Sequence, residues 1–183
     1  MSFYKQIYHD VEALVRHHGT RDPERILKER NVKLIDFPAS TKLLGMYRMI
    51  ARNRFVFYNN RLHPALLRMV LAHELGHDMY HRDHAGLLEH TLLNITTEQE
   101  TEANVFAAHL LLPNEEVLSL AKDGYTYSQM AQAMQVNVNL MVLKLNELTR
   151  LGYASKIFQQ DTPDFFTEID GRCRENWSDA YFL

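Results

Sequence analysis

The sequence is poor in the residues that stabilise extracellular proteins and in the long apolar runs that membrane proteins need. It has one cysteine among 183 residues, Cys173, which excludes an internal disulfide framework and suits a reducing compartment. No stretch approaches the roughly 20 consecutive apolar residues of a membrane-spanning helix. Residues 2–18 show an amphipathic helical pattern instead of the apolar core of a signal peptide. We therefore expect a cytoplasmic protein with no membrane partner.

A large net charge, internal repeats and low-complexity segments are also missing. The formal net charge is −3, and hydrophobic and charged residues make up 46% and 23% of the chain, as in ordinary soluble domains. A chain of this length supports one good hydrophobic core. We expect a single domain over residues 1–154. Residues 155–183 form a tail rich in acidic and aromatic residues, which could pack on the domain, mask a cleft or bind a partner.

The hydrophobic pattern predicts helices on both sides of a short β region. Residues 32–37, "VKLIDF", form one predicted strand. Residues 43–50 and 54–58 are rich in β-forming side chains, and the intervening "ARNR" predicts a hairpin turn, in which Asn53 would tolerate a left-handed conformation. Apolar residues at helical spacing occupy most of the remaining chain. These patterns predict an α+β fold with a small sheet over residues 32–59 packed on helices.

The segment "VLAHELGHDMYH", residues 70–81, has the spacing of a metal site. His73 and His77 are four residues apart, so both can direct a ring nitrogen from one helix face at one ion. Glu74 lies about 100° further around the helix, which suits a carboxylate that acts on a water molecule. Gly76, costly inside a helix, indicates close approach by another backbone. The alternative is an ordinary helix with core or solvent histidines, because short motifs also match by chance.

A second helical segment, "ETEANVFAAHLLLP", offers a third ligand. Glu100 and Asn104 share a helix face, and Ala103 keeps that helix slim enough to lie against another. Glu100 is the preferred ligand, because a buried carboxylate is costly unless it is paired or bound to a metal. Asn104 could then hydrogen-bond a ligand histidine. Glu102 is the rival ligand, but it lies on another face, and we expect it at the surface.

Together the two segments resemble the ImmA/IrrE family of metallopeptidases, which are cytoplasmic, mostly bacterial and phage-associated zincins. The resemblance covers roughly residues 20–152. It implies a zincin-like domain in which His73, His77 and Glu100 bind zinc and Glu74 is the general base. It also implies a substrate class, since members of the family cleave, or relieve repression by, helix-turn-helix repressors encoded nearby.

The expected function is therefore that of a zinc-dependent endopeptidase acting on a protein substrate in transcription regulation. Two imidazoles and one carboxylate leave a fourth position open on zinc, as in catalytic sites, and favour zinc over manganese or iron. The alternative is a non-catalytic regulator that binds a repressor or DNA and holds zinc for structure alone.

Several other residues have weaker assignments. Tyr47 and Arg48 of the predicted hairpin are candidate substrate contacts, although Tyr47 could equally be a packing aromatic. His63, Tyr47 and His109 are weak candidates for stabilising the oxyanion. His81 is expected to be a surface or capping residue.

Residues 128–152 have the outline of a helix-turn-helix pair within the domain. The presumed recognition helix offers Lys144 and Arg150 and little else that is basic. Because phosphate contacts dominate affinity for DNA, direct nucleic-acid binding is not expected. The pair is interpreted as a scaffold or a protein-docking surface.

Overall fold

The structure is a computed structural model in which residues 3–37, 43–82 and 98–153 are described. These residues form seven helices and one three-stranded sheet, which confirms the expected α+β, zincin-like fold class. The elements are α1 (Phe3–His18), α2 (Pro23–Glu29), β1 (Lys33–Phe37), β2 (Gly45–Ile50), β3 (Asn53–Asn59), α3 (Pro64–Tyr80), α4 (Glu98–Leu111), α5 (Asn114–Lys122), α6 (Tyr127–Ala133) and α7 (Val138–Arg150). The tail at residues 155–183 lies outside the described residues.

The chain forms two compact units, one up to Leu111 and one from Leu112 onward. The first unit contains α1 to α4 and the sheet, and the second contains α5 to α7. In the second unit, a capping box between Thr126 and Gln129 starts α6, and the side chain of Asn137 caps α7. The predicted helix pair is thus present. The single domain over residues 1–154 stays a prediction.

The sheet has the strand order β1-β3-β2. β3 pairs with β1 in parallel and with β2 in antiparallel orientation. The hairpin turn differs from the expectation, because Ile50 pairs with Asn53 and the positive φ angles are at Ala51 and Arg52. The left-handed residues of the turn are thus Ala51 and Arg52, and not Asn53. A two-residue hairpin loop matches the twist of its strands when both loop residues have positive φ.

One face of β2 lies toward α3. Gly45 and Tyr47 are buried, whereas Met46 and Arg48 are partly exposed, because successive residues of a strand point to opposite faces. α3 packs against both β2 and β3. The inner face of the hairpin therefore lies against the helix that contains the HELGH motif.

Gly76 allows α3 and α4 to approach each other closely. A Cβ atom at position 76 would lie 2.9 Å from the Cα atom of Ala103 and 3.2 Å from its carbonyl oxygen. Both are backbone atoms, so an alanine at position 76 would force the two helices apart. The expected close approach at Gly76 is confirmed. None of the helices in the described ranges is both long and apolar enough to cross a membrane.

Candidate metal centre

The buried faces of α3 and α4 bring three ligand-type side chains together. His73 and His77 lie on α3 and Glu100 lies on α4, and each is at most 4% exposed. The Nε2 atoms of the two histidines are 3.0 Å apart. Oε2 of Glu100 is 3.2 Å from Nε2 of His73, and Oε1 is 3.4 Å from Nε2 of His77. The three residues chosen from the sequence are therefore neighbours in space.

The separations within this trio fit a zinc ion. Ligand atoms that lie 2.0–2.1 Å from a tetrahedral zinc are about 3.3 Å from one another. The observed separations are 3.0 Å between the two nitrogens, and 3.2 and 3.4 Å from each nitrogen to its nearer oxygen of the Glu100 carboxylate. Two imidazole nitrogens and one carboxylate are also a donor set that catalytic zinc sites use, with one further position open to water or substrate.

Asn104 orients His73 from the side away from Glu100. Its Oδ1 atom is 2.9 Å from Nδ1 of His73. An amide oxygen only accepts hydrogen bonds, so Nδ1 donates, and Nε2 is the nitrogen left to bind a metal once it has lost its proton. The expected hydrogen bond from Asn104 is present, and its partner is His73.

Two carboxylates make the surroundings of His73 negative. Burial lowers the pKa of His73, but its contacts with Glu100 and the nearby charge of Glu74 outweigh this effect, so the pKa lies above the ordinary histidine value. Any metal bound at Nε2 would have to displace a proton from that atom, as for other histidine ligands.

On the side away from the trio, His77 contacts a buried pair of residues, His81 and Glu102. Nδ1 of His77 is 3.0 Å from Nδ1 of His81, and Nε2 of His81 is 2.7 Å from Oε2 of Glu102. His81 is 6% exposed and Glu102 is 9% exposed. The surface assignment of Glu102 was wrong, whereas His81, expected at the surface or as a capping residue, is the buried C-cap of α3. Each offsets the cost of burying the other, because a buried polar group needs a partner.

Glu74 is buried beside the trio, and β2 begins against it. A Cβ atom on Gly45 would lie 2.3 Å from Cγ1 of Val70 and 3.1 Å from Oε1 of Glu74. Only glycine fits this position without displacing one of these side chains. The first residue of the hairpin strand therefore borders the carboxylate that the sequence nominates as the general base.

A family model described as Peptidase_M78, the IrrE N-terminal-like domain, matches residues 27–146. The chain belongs to this family. The match contains the sheet, the HELGH motif and Glu100, and the resemblance to ImmA/IrrE proteins is confirmed. The chain is also 30% identical over 147 residues to "Uncharacterized immunity region protein 2" of Bacillus phage phi105, an alignment that covers 79% of this chain and 93% of that protein. The IrrE-like family is a family of peptidases, and this member carries a buried His-His-Glu cluster that could hold a metal ion.

The other side chains nominated in this IrrE-like protein have different contacts. Tyr47 is buried, and its hydroxyl donates to Asp78 at 3.1 Å, which supports the packing assignment over substrate contact. His63 is exposed and accepts a hydrogen bond at the start of α3. The ring of His109 packs against the ring of Tyr8 at 5.3 Å.

Sequence reasoning missed Asp78, which directly follows His77 in the IrrE-like motif. This fully buried carboxylate accepts hydrogen bonds from Arg30 at 2.9 Å and from Arg54 at 3.0 Å, in addition to Tyr47. Burial and the neighbouring Asp78 charge raise the pKa of Tyr47, so its hydroxyl stays protonated and donates. Asp78 thereby connects α3 with the end of α2 and with both strands of the hairpin. The sequence gives no local signal for this burial, because an acidic residue on a helix is typical of exposed surface until its partners are known.

Proposed function

We propose that the protein is a zinc-dependent endopeptidase that cleaves a helix-turn-helix repressor. His73, His77 and Glu100 hold the zinc, and Glu74 is the general base. The observation that carries the proposal is the convergence of two Nε2 atoms and one carboxylate within 3.0–3.4 Å, beside a further buried carboxylate. A purely structural zinc site has four protein ligands, and Glu74 would have no task in one.

Bound zinc would supply a Lewis acid for the scissile carbonyl and would lower the pKa of a water molecule toward about 7. Glu74 accepts a proton from the attacking water as the carbonyl carbon gains an oxygen. The same carboxyl group then donates the proton to the leaving amine as the C–N bond breaks. Asn104 keeps Nε2 of His73 available by accepting from Nδ1.

The hairpin supports an extended polypeptide as the substrate. Within the sheet that the described residues form, β2 is an edge strand, and its first residue lies against Glu74. A substrate segment that pairs with this edge would place its main chain next to the carboxylate, and main-chain pairing holds a peptide in register.

The substrate class is supported by the phage relative, whose name places it in an immunity region. The helix pair α6–α7 does not suggest that this protein binds DNA itself. Lys144 is buried and donates to Asn114, and Arg150 forms an ion pair with Glu147. We therefore propose that the partner of this protein is a DNA-binding protein and not DNA itself.

Removing a ligand should remove the metal. We expect His73→Ala and Glu100→Ala to lose most of the bound zinc, because two remaining ligands hold the ion poorly. Glu98→Ala, an exposed change one half-turn before Glu100 on α4, is the matched control and should retain one zinc per chain. Metal analysis of the purified proteins measures the effect. Equal zinc content in all four proteins would reject the ligand assignment.

Cleavage should be selective. When the purified zinc-loaded protein is incubated with the repressor encoded beside its gene, mass spectrometry of the fragments should find a single zinc-dependent cut. We expect this selectivity because a small unit with one hairpin edge has little surface with which to bind unrelated sequences. Rapid degradation of casein would contradict the selectivity but not the peptidase activity. Tight repressor binding without cleavage would favour the non-catalytic regulator instead.

A further inference from the structure

His77 and His73 are supported in different ways. On the side away from the trio, Nδ1 of His73 is paired with the amide oxygen of Asn104. Behind His77 there are two groups in series, first His81 and then Glu102. All of these side chains are buried, so water does not readily replace a lost partner.

The direction of the two hydrogen bonds in this series follows from the carboxylate of Glu102. A carboxylate only accepts hydrogen bonds, so Nε2 of His81 must donate to Glu102. A neutral imidazole with its hydrogen on Nε2 has an acceptor at Nδ1. Nδ1 of His77 is 3.0 Å from that acceptor and therefore carries its own hydrogen. Nε2 of His77, which faces Glu100 and His73, is then the nitrogen left to bind a metal.

We infer that His81 and Glu102 are positioning residues, which through two consecutive hydrogen bonds hold His77 in the tautomer that can bind a metal. The inference rests on the proposed function, because it assigns the two residues a task only if His77 is a ligand. The inference also gives Glu102 a role, although Glu102 is not one of the three proposed ligands. Glu102 acts on the metal through His81. Partners of this kind typically change metal affinity about tenfold to hundredfold.

The effect on affinity can be separated from a general packing role by paired substitutions. We expect His81→Leu and Glu102→Leu each to weaken zinc binding about tenfold to hundredfold. His81→Asn places an amide oxygen near the position of Nδ1, and Glu102→Gln keeps an acceptor for Nε2–H, so both should retain most of the affinity. The double leucine variant should bind zinc no more weakly than His81→Leu, since Glu102 acts through His81. Glu98→Gln is the control for loss of a nearby charge.

Two measurements test the inference. Competition with a chromophoric chelator gives the zinc affinity of each variant. Nitrogen-15 spectra of histidine in the zinc-loaded protein report the tautomers, and we expect hydrogen on Nδ1 of His77 and on Nε2 of His81. Glu102→Leu should change the His81 signals, whereas Glu98→Gln should not.

The outcomes distinguish this inference from the proposed function. If the wild-type protein takes up no zinc, both fail. If it binds one zinc but both leucine variants bind within threefold of it, or His81 carries its hydrogen on Nδ1, the positioning role is overturned and the peptidase proposal survives. Should His81→Leu fail to fold, the comparison of Glu102→Leu with Glu102→Gln decides alone.

Discussion

Glu74→Gln is expected to abolish peptide hydrolysis while leaving the metal content and the fold unchanged. Glutamine has nearly the shape of glutamate and fits the same space against Gly45, but its amide cannot accept the proton of the attacking water. Loss of a general base typically costs about 100-fold to 10,000-fold in rate. We therefore expect the cleavage rate of the repressor to fall below detection in an ordinary time course.

The experiment compares wild type, Glu74→Gln and Glu98→Gln in the same cleavage assay, with zinc content and circular dichroism measured on each sample. Glu98→Gln removes one exposed carboxylate outside the site and should cleave at the wild-type rate. If the Glu74→Gln protein processed the repressor fully, the hydrolytic role of Glu74 would be wrong. If it had lost its zinc, the residue would belong to the ligand set instead.

Asp78→Ala is expected to give the largest loss of stability among single changes near the site. It leaves Arg30 and Arg54 without their shared carboxylate and Tyr47 without its acceptor. Breaking a buried ion pair typically costs about 3–5 kcal/mol. The two arginine side chains are 17% and 23% exposed and can turn partly toward water, so we expect the lower end of this range. That is still a large share of the total of about 5–15 kcal/mol that stabilises a typical domain.

Urea unfolding of the metal-free proteins measures this effect without a contribution from zinc. Tyr47→Phe removes one hydrogen bond of the same cluster and should cost about 1 kcal/mol. Asp36→Ala, an exposed aspartate of β1, should change the free energy of unfolding by less than about 0.5 kcal/mol. A similar result for Asp78→Ala and Asp36→Ala would show that the cluster does not stabilise the fold.

The trio could be predicted from the sequence because its geometry is mostly local. A histidine pair at i and i+4 follows from helix periodicity alone, and the pairing of Glu100 with Asn104 repeats that spacing on a second helix. Gly76 indicated that another backbone would approach, and α4 provides it. The α+β class followed from the alternation of short β-rich runs and helical patterns in the same way.

The groups around the trio could not be predicted, because their partners are distant in sequence. His81 meets Glu102 across 21 residues and Arg30 meets Asp78 across 48. Charged residues like Glu102 and Asp78 are typical of exposed surface until a partner is known. Only the packing of α3 against α4 and of the hairpin against α3 shows that both carboxylates are enclosed.

The two faces of β2 leave different freedom for evolutionary change. Gly45 and Tyr47 on the inner face are tied to Glu74 and Asp78 by close packing and a hydrogen bond, so substitutions there disturb the surroundings of the proposed general base. Met46 and Arg48 point the other way and are partly exposed. Under the proposed function, descendants of this protein can therefore change the surface that β2 offers to a substrate, and so change their target, while the residues packed around Glu74 stay the same.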